Sequence, residues 1–295
     1  MRTLGTHLLL LLAVSAASPL AASPNDLDLI GLVELDDAGN PQTRNSDFRS
    51  LVHELSVVMT PPPLQPAETT GQSGFDFGLD YAAHDISEGS SYWRDGTRGR
   101  LENRQTVPFL QTLGLRGRKG FPLPIPLSSE VDLGLQWIAD SSLFSLGGNV
   151  RVALNEGFRW LPDIAVAGGA NQLLGADDVN LTTLTLGGSV SKGFAISGSF
   201  TLTPFVGYQA LLMNGTTRVL DPDPNNVEDI SRNVVFQPVD ILDPSNRIDR
   251  FSLGLRMNVA LLQLTAGADF NQMPADTTET RRTMMQFGTR AGLYF

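Results

Sequence analysis

The last twelve residues constrain the fold of this chain more than any other feature. Across Met284–Phe295, apolar side chains alternate with small or polar ones such as Gln286 and Arg290, and the final residue is aromatic. A period of two is the pattern of a β-strand, whose successive side chains point to opposite faces. One face suits lipid and the other suits a polar interior, so the pattern predicts a membrane-crossing strand.

The same alternation recurs along most of the chain. From Gly74 onward we count about ten such segments, each of roughly the 9–11 residues that a tilted transmembrane strand needs. The links also differ in length: Lys192-Gly193 and Ala260-Leu261 are tight, whereas Met213–Arg247 is long and polar. Short links are typical of the periplasmic side of a membrane barrel and long links of the outside.

These observations predict an all-β fold, a transmembrane antiparallel up-and-down β-barrel formed by residues 74–295. The expected strand number is about ten, within a range of about 8 to 12. A soluble β-sandwich with an apolar core would also alternate. An even strand count, the alternation of short and long links, an N-terminal secretory signal and a terminal Phe together disfavour that alternative.

The closing strand resembles that of Gram-negative outer-membrane β-barrels, in which a terminal Phe preceded by apolar residues at alternate positions is the insertion signal. Here the signal would consist of Phe287, Leu293 and Phe295, although Arg290 stands where such signals often have Gly. The resemblance implies an outer-membrane location and contact with the barrel assembly machinery during biogenesis. The mature chain is also similar to uncharacterised small barrel and porin-like families, which implies no known activity.

The first residues have the layout of a cleavable secretory signal. Arg2 precedes an apolar run from Leu8 to Val14, and small residues follow, so residues 1–22 are predicted to be removed. The chain has no Cys, which excludes a lipoprotein anchor and disulfides. Its formal net charge of −10 argues against a nucleic-acid partner, because binding phosphates requires a basic face.

Residues 23–73 are predicted to form a separate N-terminal segment in the periplasm. Ser46 can cap a short helix that ends before Pro61, with an apolar stripe formed by Phe48, Leu51, Leu55, Val58 and Met59. Such a stripe needs a surface to cover it. The helix could lie inside the barrel, against its periplasmic mouth, or on a partner, and a plug or lid is the favoured interpretation.

Charged residues on the polar faces fall in opposite-sign sets on neighbouring strands. The expected pairs are Asp80 with Arg290 and Arg250 with Asp269, while Glu130 and Asp132 are expected between Arg116 and Arg151. A charge in a narrow lumen is costly unless it is paired, so this arrangement indicates a filled interior. A structural role is favoured; the functional alternative is a narrow gated pathway that opens when the pairs rearrange.

Two outer links contain candidate binding residues. In the first, Tyr92, Trp93, Arg94 and Arg98 could contact lipopolysaccharide phosphates and the membrane interface, and the alternative is an ordinary solvated loop. In the link before Arg247, a calcium site could use Asp221, Asp223, Asn225 and Asp229. That link lacks the Gly and the closing Glu of an EF-hand, so an ordinary acidic loop is favoured and no cofactor is expected.

A catalytic function would depend on one histidine. His84, next to Asp85 at the outer end of the first strand, is the residue that could act as a general base, and no facing motif supports it. We therefore expect no enzyme, with an outer-membrane hydrolase as a remote alternative. Two classes remain: narrow passage of small solutes through a partly plugged lumen, which is slightly favoured, and a structural or surface-binding barrel that presents its loops.

Overall fold

A computed structural model describes residues 23–99, 109–122, 127–197, 200–222, 233–274 and 282–295. The predicted signal peptide lies outside these residues, as do Asp223, Asn225 and Asp229 of the calcium candidate. Among the described residues, no helix is long and apolar enough to cross a membrane.

The N-terminal segment contains short elements and one longer helix. A 3₁₀ turn at Leu29–Leu32 leads into a two-stranded sheet, β1 (Val33–Leu35) and β2 (Pro41–Thr43), and then into helix α1 (Asn45–Met59). Two further short helical elements lie in the links of the barrel: α2 (Ser91–Asp95) and a 3₁₀ turn at Pro244–Asn246.

The remaining strands form one antiparallel sheet. They are β3 (Phe75–Asp85), β4 (Phe109–Pro122), β5 (Ser128–Ile138), β6 (Phe144–Asn155), β7 (Asp163–Leu174), β8 (Val179–Ser191), β9 (Phe194–Ser197), β10 (Phe200–Thr217), β11 (Ile248–Val259), β12 (Leu262–Gln272) and β13 (Thr283–Tyr294).

The sheet closes on itself where β13 pairs with β3. Phe75 and Phe295 exchange backbone hydrogen bonds of 2.9 and 2.8 Å, so both ends of the sheet meet at one rim. In the described part of the chain the closed ring consists of ten strands. Strand β9 is not counted as an eleventh, because it pairs only with the start of β10 and continues the edge formed by β8. The predicted ten-stranded up-and-down barrel is confirmed.

One predicted link is wrong. The chain does not turn back at Lys192-Gly193 but continues through β9 as far as Ser197 before β10 begins. Strand β10 is 18 residues long and pairs with β8 and β9 in succession along one edge. The two-residue interruption therefore lies within the wall, and this hairpin extends beyond the end of β7, whose first residue Asp163 pairs with Ser191.

The two faces of the wall follow the predicted alternation. In β3, Phe75, Phe77 and Leu79 point outward and are 42–52% exposed, while Asp76 and Asp80 are buried. The same pattern holds even for the Ala/Gly-rich segment after Pro162, which forms β7 with Ile164 and Val166 outward. A continuous apolar outer surface on a closed barrel is what a lipid environment requires.

The N-terminal segment lies inside the barrel and at the rim opposite Phe295. Helix α1 packs against strands β5, β7, β8 and β10 and against α2 in the first long link. The predicted helix therefore occupies the lumen, which is one of the positions that the sequence left open, and it lies towards the rim of the long links. The periplasmic assignment of residues 23–73 stays a prediction. The N-cap is Arg44 rather than Ser46, which lies in the first turn.

Candidate functional site

The interior of the barrel is the candidate functional site, and it is divided into two layers. Near the long links the inward side chains are apolar; near the Phe295 rim they are charged. The sequence analysis expected a polar interior throughout. The apolar layer was missed because its residues occupy only the last one or two inward positions of each strand, where the alternation with outward apolar residues breaks down.

Helix α1 fills the apolar layer. Its residues Leu51, Val52, Leu55 and Val58 are each at most 1% exposed. They share one buried cluster with inward strand residues that include Leu110, Ile138, Leu173, Leu181, Leu211, Met213, Ile248 and Met284. The ring of Phe48 also lies 4.9 Å from that of Phe236, centroid to centroid. Burial at about 25 cal/mol per Å² makes such a cluster the main force that holds the helix in the barrel.

Glu54 is a buried carboxylate that joins this helix to two outer links. Its Oε1 accepts hydrogen bonds from Ser87 Oγ at 2.5 Å and Tyr92 OH at 2.8 Å, and it pairs with Arg282 at 2.8 Å. Its Oε2 accepts from Ser87 N at 2.9 Å and Trp93 Nε1 at 2.6 Å. Burial, with the adjacent Glu54 carboxylate, raises the pKa of Tyr92 above its ordinary value.

Side chains of the barrel wall satisfy the last carbonyls of the helix. Gln136 donates to Val58 O at 2.8 Å, and Arg250 donates to the carbonyls of Val57, Thr60 and Pro61 at 3.2–3.4 Å. A cation at a helix C-terminus also interacts favourably with the helix dipole. The expected partner of Arg250, Asp269, interacts with it electrostatically, and Nε of Arg250 donates a hydrogen bond to Asn271 Oδ1 at 2.8 Å.

After the helix, residues 60–70 run through the charged layer without helix or strand, with two tight turns closed by Leu64 N to Pro62 O and Gln65 N to Pro63 O at 2.8 Å each. Gln65 donates to Asp132 at 3.0 Å, the carbonyl of Pro66 accepts from Arg151 at 2.9 Å, and Glu68 pairs with Arg256. Thr70 N donates to Glu130 at 3.0 Å. Side chains of the barrel wall therefore bind this segment at several points along its length, from Gln65 to the rim where β3 begins.

The lowest contacts lie beside the Phe295 rim. Tyr294 OH donates to the carbonyl of Thr70 at 3.1 Å. Thr69 donates through its N and its Oγ1 to Glu156 in the link between β6 and β7. Burial raises the pKa of Glu156, because removing the carboxylate from water disfavours its charged form.

The charged layer is a connected network of four arginines and four carboxylates. Arg290 pairs with Asp80 at 2.8 Å and also with Asp76; Arg118 pairs with Asp76 at 2.8 Å. Arg116 reaches Asp80 at 2.9 Å and Asp132 at 3.6 Å, and Glu130 lies 3.2 Å from Arg151 and 3.7 Å from Arg118. All eight side chains are at least nine-tenths buried.

This network brings together six of the eight charged residues that the sequence analysis selected. Arg118 and Asp76 were missed, although each sits two or four residues along the strand from a selected residue and so faces the same way. Equal numbers of opposite formal charges balance within the network, which lowers the cost of burying them in a narrow lumen. Removing one member would leave an uncompensated buried charge, at a typical cost of about 3–5 kcal/mol.

Glycines make room for residues 60–70. A Cβ on Gly288 would lie 2.8 Å from Pro62 Cγ, and one on Gly267 would lie 3.1 Å from a methyl of Leu64. Two adjoining cavities of about 40 and 20 Å³ remain beside Pro63 and Gln65. At about 10–15 Å³ per water they hold only a few molecules.

The four residues predicted to contact lipopolysaccharide differ in their exposure. Arg94 and Arg98 are exposed on the first long link, whereas Trp93 is 2% exposed and directs its indole NH to Glu54. Trp93 is therefore unavailable as a membrane anchor, because its ring belongs to the apolar layer. Tyr92 is partly buried on the same carboxylate.

His84 lies inside the barrel rather than at an exposed strand end. It is fully buried, with Nε2 3.1 Å from Thr112 Oγ1. Its sequence neighbour Asp85 faces the other side of the strand and lies 3.7 Å from Arg282. Asp85 therefore does not orient the His84 ring, since adjacent residues of a strand point to opposite faces.

The closed wall, the apolar outer surface and the filled lumen define a β-barrel of the outer-membrane class. The chain matches no protein-family model, and no curated protein matches it in sequence.

Among solved structures, the translocator domain of the autotransporter NalP from Neisseria meningitidis aligns with 12% identity and a TM-score of 0.40, over 76% of this chain and 88% of that one. LpxR from Salmonella typhimurium aligns with 10% identity and a TM-score of 0.35, over 75% and 100%. The N-terminal β-barrel domain of Pseudomonas aeruginosa OprF aligns with 12% identity and a TM-score of 0.30, over 76% and 99%.

Proposed function

We propose that this protein resides in the bacterial outer membrane as a barrel closed by its own N-terminal segment, with a structural or surface-binding role carried by its outer links. The observation that carries the proposal is the filled lumen. Helix α1 occupies one layer and residues 60–70 occupy the other, and both bond to the wall throughout their length. Barrels of about eight strands are filled by side chains and open channels need about 16, so ten strands fit a closed interior.

Lipid and lipopolysaccharide are the proposed surroundings of the outer face. Among the described residues of the first long link, Arg94 and Arg98 are exposed cations, and they support contact with lipopolysaccharide phosphates. Arg94 already pairs with Asp95 at 3.0 Å, so Arg98 is the better placed of the two. Contact with the assembly machinery through Phe287, Leu293 and Phe295 stays a prediction.

The test of the closed barrel is planar-bilayer conductance of the refolded mature protein. We expect no steady current, because the cavities hold only a few waters and the segment blocks the lumen. A steady ohmic current from protein that migrates as a folded, heat-modifiable barrel would overturn the proposal.

The second candidate is narrow passage of small solutes after the segment moves. The cavities beside Pro63 and Gln65 favour it, since they give the segment space in which to shift. Arg250→Ala removes the donor to the carbonyls of Val57, Thr60 and Pro61 and should then produce stepwise openings. Arg94→Ala, which alters an exposed pair, is the matched control. Silence in both variants would count against this candidate.

We propose a non-enzymatic role over the hydrolase alternative. A general base needs access to substrate and is commonly oriented by a carboxylate. His84 is buried against a threonine hydroxyl, and Asp85 points away from it. Esterase activity in lipid-containing extracts that disappears in His84→Ala would contradict this proposal.

A further inference from the structure

We infer that the N-terminal segment crosses the outer membrane through the lumen of its own barrel, so that residues 23–44 lie on the cell surface. This inference rests on the part of the proposed function that places the barrel in the outer membrane. It assigns a further function to the fold, since the barrel would carry the start of the mature chain from the periplasm to the outside.

The first step is the direction of the barrel. Phe75 and Phe295 meet at one rim, together with the tight link Ala260-Leu261. The described parts of the long links, at residues 86–99, 218–222, 233–247, 273–274 and 282, lie towards the other rim. In outer-membrane barrels the short turns are periplasmic and the long links are extracellular. Strand β3 therefore starts in the periplasm.

The second step is the path of the segment, which can be followed from one rim to the other. Thr70 lies at the periplasmic rim, held by Tyr294. Gln65 lies on the charged network, and Val58 accepts from Gln136 higher on the wall. At the outer rim, Asn25 N donates to the carbonyl of Asp140, in the link between β5 and β6, at 3.0 Å.

The third step is length. Residues 60–71 can span about 40 Å when extended at about 3.3 Å per residue. The apolar band of an outer-membrane barrel is about 25 Å tall. This part of the chain alone is therefore long enough to cross the band, and α1 with the residues before it lies against links that face outward.

The fourth step is the anchoring of the segment at the outer rim. Leu27 forms a β-bridge with Thr97 of the first long link, and Asp26 accepts from Ser142 N at 2.6 Å. Arg44 pairs with Asp95 at 2.9 Å. These contacts join residues before the helix to links at the same rim, so the segment does not turn back into the lumen.

The element presented there is a small acidic hairpin. Strands β1 and β2 pair around a turn in which Asp36 accepts from Ala38 N at 2.9 Å and Asn40 N at 2.7 Å. Backbone and side-chain hydrogen bonds from Asn40 lower the pKa of Asp36. Glu34 and Asp37 are also exposed, so the hairpin is an ordered, charged projection.

The test uses single cysteines, because the natural chain has none. Ala38→Cys lies on the exposed hairpin turn; Leu242→Cys lies on a long link, where the native side chain is 84% exposed; Trp160→Cys lies on a link at the Phe295 rim, where it is 85% exposed. Each full-length variant is expressed, checked for heat-modifiable migration, and treated on intact cells with a polymer-linked maleimide too large for porins.

We expect Ala38→Cys to be labelled to the same extent as Leu242→Cys, and Trp160→Cys to be labelled at least tenfold less until the outer membrane is permeabilised. Labelling of Ala38→Cys that follows Trp160→Cys would overturn the inference, and so would protection of Leu242→Cys. The outcome is independent of conductance: an open pore with a surface-labelled Ala38→Cys would refute the closed barrel and leave this inference intact.

Discussion

Replacing Glu54 by Ala should release helix α1 from the outer links. The change leaves Trp93 Nε1 without an acceptor in a buried site, and it removes the acceptor of Tyr92 OH, the acceptor of Ser87 N and the ion pair with Arg282. A buried hydrogen-bond donor that loses its acceptor lowers the stability of the folded state by about 1–3 kcal/mol. Breaking a buried pair typically costs about 3–5 kcal/mol in total.

We take the lower value, about 3 kcal/mol, because three of the donors are only partly buried and can reach water. At 1.4 kcal/mol per tenfold change, the helix should then open at least about 100-fold more often. Hydrogen–deuterium exchange of the amides of residues 51–58 in detergent measures this opening directly. The strands of the barrel should exchange at their wild-type rates.

Two variants make the result specific. Glu34→Ala removes a carboxylate that is 65% exposed and should leave exchange in the helix unchanged. Glu54→Gln keeps the shape and one acceptor oxygen, so its effect should be smaller than that of Glu54→Ala. If Glu54→Ala exchanges within threefold of the wild type at residues 51–58, Glu54 does not hold the helix and the argument is wrong.

Two other outcomes are expected. The pKa of Tyr92 is raised in the folded protein, so the unfolded chain loses this proton first and stability falls as the pH rises above about 10; in Tyr92→Phe the fall in Tm between pH 9 and 11 should be smaller, and an identical fall would contradict the assignment. The double variant Phe295→Ala with Leu293→Ala should impair assembly and leave unfolded protein in the periplasm, because it removes part of the predicted insertion signal; normal heat-modifiable barrel in the outer-membrane fraction would refute this.

The charged layer shows how much of the site the alternation of residues in the sequence could predict. The period of two placed Asp80, Arg116 and Arg290 on inward faces, and neighbouring strands brought Asp80 and Arg290 together as expected. Arg116 reaches the expected Asp132 and also Asp80, a contact that was not expected.

Arg250 and Asp269 interact electrostatically as expected, but the hydrogen bonds of Arg250 go to Asn271 and to carbonyls at the end of α1. The period of two cannot predict which lumen-facing group will meet a helix terminus. Arg250 serves the carbonyls of α1, whose position no strand pattern reports.

The sequence by itself determined the barrel: alternation fixes which face of each strand meets lipid, and the even strand number returns Phe295 to the rim where β3 begins. Only the tertiary structure decided what fills the barrel. The apolar stripe on α1 shows that the helix must be buried. The stripe alone does not determine whether the surface that covers it is the lumen, the rim of the barrel or another protein. The choice was made by long-range contacts, such as those of Glu54 with Trp93 and Gln65 with Asp132, which join residues far apart in the chain. Such contacts depend on the closed shape of the wall, and no local period encodes them.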